Sequence, residues 1–125
     1  MIPYGKQNIT EEDINEVVAV LKSDYLTQGP KLPEFETKFA QTVGAKHAFA
    51  VNSATSALHL ACVALNLSMG DILWTSPISF VASSNCALYC GAEVDFVDIN
   101  VDTINICINS LRQKLTIADK LGRLP

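Results

Sequence analysis

The residues best suited to chemistry form a short turn of small polar side chains, residues 52–56 (NSATS). The turn stands between an expected strand over 48–51 and an expected helix over 57–67. Small residues let the backbone approach an anion closely, and free amides at a helix start donate to phosphate alongside the hydroxyls of Thr55 and Ser56. The chain has neither a GxxxxGK[ST] loop nor a GxGxxG turn. The turn therefore predicts either a phosphate site or an ordinary serine-rich helix cap.

Two further positions follow expected strands, and ligands of open α/β sheets bind beyond the carboxyl ends of strands. Phe80 lies at a strand-to-helix junction, where an aromatic ring can stack on a planar ligand. On the sequence alone, packing of Phe80 into the core is the simpler interpretation. Asp98 follows the last expected strand and is either a ligand-facing acid or a turn residue.

The elements that must position these residues alternate between helix and strand. Two helices come first, one capped by Thr10 and one from about Pro33 to Gly44. Strands are then expected over 48–51, 72–75 and 93–97, and helices over about 57–67, 79–90 and 108–115. Short apolar strands separated by helices predict an α/β fold with a mainly parallel sheet covered on both faces.

Composition excludes several classes of protein. The chain has 125 residues, 49% of them hydrophobic, and a net charge of −4. It is too apolar for a disordered chain and lacks the basic surface that binds nucleic acid. It also lacks the run of roughly 20 apolar residues that a membrane span needs and the layout of a signal peptide. These features predict a cytoplasmic protein with no membrane span and no nucleic-acid partner.

The four cysteines are expected to be free, buried thiols. Cys86 and Cys90 are four residues apart on one expected helix, where a disulfide is geometrically poor. No other segment is rich enough in ligands to complete a zinc site, so no metal is predicted.

Several motifs together resemble one family. They are KHAFAVNSATSALHLA at 46–61, TSPISFVAS at 75–83 and GAEVDFVDI at 91–99, with Tyr4, QNI at 7–9 and LTQGP at 26–30 upstream. This combination resembles the nucleotide-sugar aminotransferases of the DegT/DnrJ/EryC1/StrS type. These are fold-type-I enzymes that depend on pyridoxal 5′-phosphate (PLP). The similarity is greatest to the pseudaminic acid branch, which aminates C4 of a UDP-linked 4-keto-6-deoxy-N-acetyl sugar with glutamate as donor.

The resemblance implies a fold, a function and a set of site residues. Residues 1–125 would be the N-terminal part of the PLP-binding major domain, an α-β-α sandwich like that of aspartate aminotransferase, in a homodimer. The rest of that domain and a small C-terminal domain would lie outside this chain. The cofactor phosphate would lie against Ala54, Thr55 and Ser56, and Phe80 would stack on the pyridine ring. Tyr4, Thr27 and Gln28 would line the sugar-nucleotide side, whereas His59 and Trp74 are expected to pack.

The chain lacks the lysine that would hold PLP as a Schiff base and the acid beside the pyridine nitrogen. Its seven lysines all stand in surface-type contexts. The alternating pattern also stops before Pro125, so the sequence is expected to be truncated, with open sheet edges that favour association. The prediction is that residues 1–125 alone do not transaminate and are not a clean monomer. Three alternatives stay open: a phospholigand-binding domain, a remnant without function, and a PLP-dependent sugar dehydratase relative.

Overall fold

The computed structural model describes residue 2 and residues 5–125. The described part forms helices α1 (Glu11–Leu21), α2 (Lys31–Val43), α3 (Ala54–Ala64), α4 (Ala82–Tyr89) and α5 (Ile108–Lys120), and strands β1 (Ile72–Thr75) and β2 (Glu93–Phe96). Backbone contacts divide the chain into two compact units, Met1–Ala50 and Val51–Pro125. They are called the N-terminal and C-terminal units below, and each is described by itself.

The N-terminal unit contains the two helices predicted there. Thr10 begins α1 with a capping box: its hydroxyl accepts the Asp13 N–H at 3.3 Å, and the Asp13 carboxylate accepts the Thr10 N–H at 2.8 Å. These bonds, led by the one from the Thr10 backbone, hold the pKa of Asp13 below its usual range. Helix α2 begins at Lys31, two residues before the predicted Pro33. It ends at Val43 and is capped by Gly44, whose φ of 67° is the left-handed conformation that glycine adopts without strain.

The predicted strand over residues 48–51 is wrong, because this segment forms neither strand nor helix. A strand needs a neighbouring backbone to complete its hydrogen-bond ladder, and no described residue pairs with this segment. The Ala50 N–H instead donates to the Glu36 carboxylate at 2.8 Å. Phe49 is 83% exposed, so the apolar side chain that suggested a strand buries little of its surface here.

The C-terminal unit is built on a parallel pair of strands joined through a helix. Ile72 of β1 lies opposite Glu93 of β2, and Thr75 lies opposite Phe96. Helix α4 connects the strands and contacts both of them. The predicted parallel α/β arrangement is confirmed, with β1 at its predicted bounds. Helix α4 is shorter than the predicted 79–90.

Helices α3 and α5 differ from their predicted bounds. Helix α3 begins three residues earlier than predicted because Ser53 caps it. It also ends earlier, at Ala64, since Asn66 adopts a left-handed φ of 60° that stops the helix. Helix α5 extends to Lys120 rather than ending near 115. None of the described helices is long and apolar enough to cross a membrane.

Small side chains form the buried core of the C-terminal unit: Cys62, Ala82, Cys86, Ala87, Ala92, Val97 and Ala118. All four cysteines are free, as predicted, but Cys90 and Cys107 are only half-buried. Burial raises the pKa of the Cys62 thiol to about 11, and a hydrogen bond with Cys86 adds to the effect. The described residues contain no group of three or more His, Cys, Asp or Glu side chains that could hold a metal ion.

On the outer edge of β2, the backbone N–H and carbonyl of Phe96 are hydrogen-bonded to side chains. The N–H groups of Glu93 and Val97 donate to the carbonyls of Asp71 and Thr75 on the β1 side, so the backbone groups of Phe96 face the opposite side. There the Phe96 carbonyl accepts from the ammonium of Lys114 at 2.6 Å, and the Phe96 N–H donates to the Asp95 carboxylate at 2.7 Å. A neighbouring strand would need both groups, so this pair of side chains blocks strand addition at that point.

Candidate functional site

The predicted phosphate turn forms the first turn of α3. Ser53 is the N-cap, with extended backbone at φ −161° and ψ 157°, and its hydroxyl oxygen accepts the Ser56 N–H at 3.1 Å. Ala54, Thr55 and Ser56 are therefore the first three helical residues, and not a loop before a helix starting at residue 57. This position aims their backbone N–H groups out of the start of the helix, where the helix dipole is positive.

Two of these three backbone N–H groups are unpaired. Within the described residues, the amides of Ala54 and Thr55 donate to no acceptor, and the Thr55 hydroxyl makes no hydrogen bond. Thr55 is half-buried and Ala54 is exposed. An anion at this end of α3 would find two amide donors and one hydroxyl donor without displacing any protein contact.

Ser56 differs from its two neighbours because its donors are already used. Its N–H goes to Ser53, and its hydroxyl donates to the Asn52 side-chain oxygen at 2.7 Å. The Ser56 and Ser53 hydroxyl oxygens also lie 3.0 Å apart. The sequence indicated the small polar character of this turn but not this network, because hydroxyl and amide side chains can pair in several ways.

Phe80 lies in the loop between β1 and α4, in the same unit as the start of α3. Its side chain is 75% exposed, so the interpretation that it packs in the core is wrong for this structure. The Phe80 carbonyl accepts the Ser83 N–H at 2.9 Å, which fixes its backbone at the entry to α4. An exposed aromatic face on an anchored backbone is suited to stacking against a planar ring.

The residues predicted for the sugar side belong to the N-terminal unit. Thr27 and Gln28 are exposed in the loop between α1 and α2, and Gln28 has a left-handed φ of 52°. Gln28 lines a cavity of about 270 Å³ together with Tyr25, Leu26 and Lys31. Tyr4 lies outside the described residues.

Asp98 and His59 have local structural roles. The Asp98 carboxylate accepts the Ile99 N–H at 2.8 Å, and its carbonyl accepts the Cys107 N–H at 2.8 Å, so it is a turn residue. His59 packs edge-on against Tyr89, with ring centroids 5.3 Å apart. The prediction that His59 packs is confirmed.

One polar cluster in the C-terminal unit was missed by sequence reasoning. The Lys114 ammonium lies 4.9 Å from the centre of the Trp74 ring and forms an ion pair with Asp95. Lys114 was expected on the surface, but its side chain is only 25% exposed. The helical spacing of Leu111, Lys114 and Ala118 is the signal that would have placed this lysine on the inner face of α5.

Comparison with known proteins assigns the chain to a family. A sequence model of the DegT/DnrJ/EryC1/StrS aminotransferase family matches residues 7–121. The spore coat polysaccharide biosynthesis protein SpsC of Bacillus subtilis is 46% identical over 105 residues, which are 84% of this chain and 27% of SpsC. The UDP-4-amino-4,6-dideoxy-N-acetyl-beta-L-altrosamine transaminase of Campylobacter jejuni is 47% identical over 102 residues, 82% of this chain and 27% of that protein.

Solved structures share the fold. The PLP form of the putative sugar aminotransferase Spr1654 from Streptococcus pneumoniae has a TM-score of 0.83 at 34% identity, covering 90% of this chain and 29% of that one. The E. coli GDP-4-keto-6-deoxy-D-mannose-3-dehydratase with bound hydrated PLP has a TM-score of 0.83 at 31% identity, covering 89% and 30%. The chain thus spans less than a third of the length of these relatives. Its sequence and its fold both show that it belongs to the DegT/DnrJ/EryC1/StrS aminotransferase family.

Proposed function

We propose that this chain forms the N-terminal part of the PLP-binding major domain of a nucleotide-sugar aminotransferase. The whole protein would transfer the amino group of glutamate to a UDP-linked 4-keto-6-deoxy sugar, in surface-polysaccharide or pseudaminic acid biosynthesis. The 47% identity to the altrosamine transaminase supports an aminotransferase and this class of sugar, and the 46% identity to SpsC supports a role in surface-polysaccharide biosynthesis.

The observation that carries the proposal is the pair of unpaired amides at Ala54 and Thr55. A phosphate group needs several convergent donors, and the first turn of α3 offers these two amides with the Thr55 hydroxyl. Phe80 offers an exposed aromatic face for the pyridine ring. These residues fit PLP, with Ser56 completing the turn. When bound, PLP supplies the electron sink through which an amino group is moved.

The remaining roles follow from the family resemblance. Thr27 and Gln28 would contact the sugar nucleotide from the exposed loop between α1 and α2, together with Tyr4. We place no catalytic residue in this chain. Lys114, the one half-buried lysine among the described residues, is engaged by Asp95 and by the Phe96 carbonyl. The lysine for transamination would belong to a part of the protein outside residues 1–125.

The test is an amino-transfer assay on the full natural polypeptide that contains this chain. With glutamate and a UDP-linked 4-keto-6-deoxy-N-acetyl sugar, we expect 2-oxoglutarate and the 4-amino sugar in equal amounts. The Phe80→Ala variant should lower turnover, whereas Phe49→Ala, which removes an exposed phenylalanine of the other unit, should not. Absence of glutamate-dependent amination would overturn the proposal.

A sugar dehydratase is the second candidate function. It is favoured by one observation, the TM-score of 0.83 to the E. coli dehydratase, which equals that to the sugar aminotransferase. The two reactions have different products. A dehydratase would remove a hydroxyl group from the sugar and leave no new amino group on it, so mass spectrometry of the product separates them.

We also propose that the protein is a homodimer. Apolar side chains on α2 support association, since Phe35 and Phe39 have ring centroids 5.9 Å apart and are 56% and 50% exposed. Light scattering on purified residues 1–125 should show species larger than a monomer, and a single monomeric species at high concentration would contradict this. The cytoplasmic location stays a prediction from the sequence.

A further inference from the structure

We propose that the outer edge of β1 binds one further strand of the same polypeptide, formed by the residues that follow Pro125 and running parallel to β1. This inference rests on the proposed function, in which residues 1–125 are the first part of a larger domain. The relatives described above support that premise, because the chain spans less than a third of their length.

The backbone of β1 has one unpaired edge. The carbonyls of Asp71 and Thr75 accept N–H groups from the β2 side, and the direction of these groups alternates from one residue to the next along a strand. The backbone groups of Ile72 and Trp74 therefore point away from β2, and no described residue forms a hydrogen bond with them. Because both residues are half-buried, leaving these groups without partners is costly.

An apolar groove of about 340 Å³ lies along this edge. Consecutive residues of β1, which alternate between the two faces of the strand, line the groove, and no residue of β2 does. Its walls are leucines that follow α3 or belong to α5: Leu65, Leu67, Leu111 and Leu115. A parallel strand covered by helices on both faces is apolar throughout, so the groove fits a strand of apolar side chains about 4.8 Å from β1.

The position of the last described residues selects the occupant and its direction. Pro125 itself lines the groove. Arg123 lies 3.8 Å from the carboxylate of Glu93, the first residue of β2, and Glu93 is the register partner of Ile72, the first residue of β1. Helix α5 thus returns the chain to the amino ends of both strands, as a crossover helix does. A strand that begins there runs parallel to β1.

The outer edge of β2 is the competing place for a further strand. At Phe96 its carbonyl is bonded to the Lys114 ammonium and its N–H to the Asp95 carboxylate. A strand added on that side would have to displace both side chains, whereas the edge of β1 needs no such displacement. The two edges therefore differ in the direction that the proposal requires.

Hydrogen exchange in the full natural polypeptide that contains this chain tests whether the edge is occupied. The amides of Leu73 and Thr75 face β2 and serve as internal references within the same strand. Residue-level mass spectrometry should find that the Trp74 amide exchanges within about tenfold of their rates, because a second strand protects it in the same way. A Trp74 amide that exchanges faster than this would overturn the proposal.

Photo-cross-linking of the full polypeptide identifies the occupant. Benzoylphenylalanine replaces Leu65, which is 81% exposed and can accept the larger ring. We expect a cross-link within one polypeptide, to the roughly ten residues after Pro125. Absence of this product, or a product that joins two copies, would overturn this occupant. The same replacement at Tyr89, an exposed residue of α4 outside the groove, is the matched control and should not react with that segment.

The strand and the proposed function can fail separately. Glutamate-dependent amination together with a rapidly exchanging Trp74 amide would overturn the added strand and leave the proposed function standing. A protected Trp74 amide and the expected cross-link, without amination, would support the strand and overturn the proposed function.

Discussion

Lys114 of α5 forms an ion pair with Asp95 of β2, and this pair joins the last helix to the parallel strands. The same ammonium donates to the Phe96 carbonyl at 2.6 Å and lies over the Trp74 ring. One side chain thus combines an ion pair, a backbone hydrogen bond and a cation–π contact. The combination makes Lys114 a structural lysine of the C-terminal unit.

Replacing Lys114 by methionine should destabilise the chain by about 1 kcal/mol, because a hydrogen bond to the backbone and a half-exposed ion pair are lost while the apolar stem is kept. It should also increase self-association, since the outer edge at Phe96 becomes available. Urea unfolding and light scattering measure the two effects. Lys120→Met, at an exposed position of the same helix, is the control. Equal effects of the two substitutions would contradict the assigned role.

The Asp95 carboxylate should stabilise the fold at neutral pH and lose this effect in acid. Its bond with Lys114, and then that with the Phe96 N–H, hold its pKa below the usual range. A carboxyl with a lowered pKa in the folded state contributes fully above its unfolded pKa and progressively less as pH falls through the folded value. We therefore expect Asp95→Asn to lower stability at pH 7, with the difference from the unmodified chain shrinking below about pH 4.

The matched experiment introduces Asp95→Asn into a chain that already carries Lys114→Met. There the carboxylate has lost its main partner, so Asp95→Asn should have a smaller effect at pH 7 and a weaker pH dependence. An equal pH dependence in both backgrounds would show that Lys114 is not the cause of the lowered Asp95 pKa.

Cys107 should react with iodoacetamide before Cys62. Burial raises the pKa of Cys62 to about 11, so almost no thiolate forms there at neutral pH. Hydrogen bonding with Ser110 lowers the pKa of the half-buried Cys107. Peptide mapping by mass spectrometry after brief alkylation at pH 7 should find Cys107 modified well before Cys62. The order should disappear in urea, and early labelling of Cys62 in the folded chain would contradict the structure.

The 125-residue chain should form no stable lysine adduct with PLP and should not transaminate. Six of its seven lysines are exposed, and Lys114 is engaged by Asp95. Any adduct with an exposed lysine is open to hydrolysis by water. After incubation with PLP and dialysis, the absorbance of a lysine adduct should be lost. Retained absorbance, or turnover of a keto sugar by residues 1–125, would contradict this prediction.

Local signals in the sequence predicted the elements whose causes are local. The capping residues Thr10 and Gly44 marked the first two helices, and β1 was predicted at its observed bounds. The prediction of a strand over 48–51 was wrong because a strand depends on a neighbouring strand that local composition does not specify. The start of α3 was misplaced because small serine-rich segments suit a loop and a helix cap equally well.

The candidate site was predictable in position but not in detail. The segment 52–56 and Phe80 were found from their residue types and from the family resemblance. The exposure of Phe80 and the Ser53–Ser56–Asn52 network depend on side-chain rotamers. The spacing of residues in the sequence does not determine these rotamers. Lys114 was missed because lysine is ordinarily a surface residue, and its burial depends on Asp95 and Trp74 being register partners on neighbouring strands.

Trp74 also gives the molecule a built-in optical probe. It is the only tryptophan of the chain, so all indole emission comes from one place, the side chain beneath Lys114. Its indole nitrogen is inaccessible to water and has no hydrogen-bond partner among the residues that the structure describes. Separation of α5 from the strands would expose this nitrogen to water and shift the emission to longer wavelength. Fluorescence would then follow the docking of this single helix while circular dichroism follows the helices as a whole.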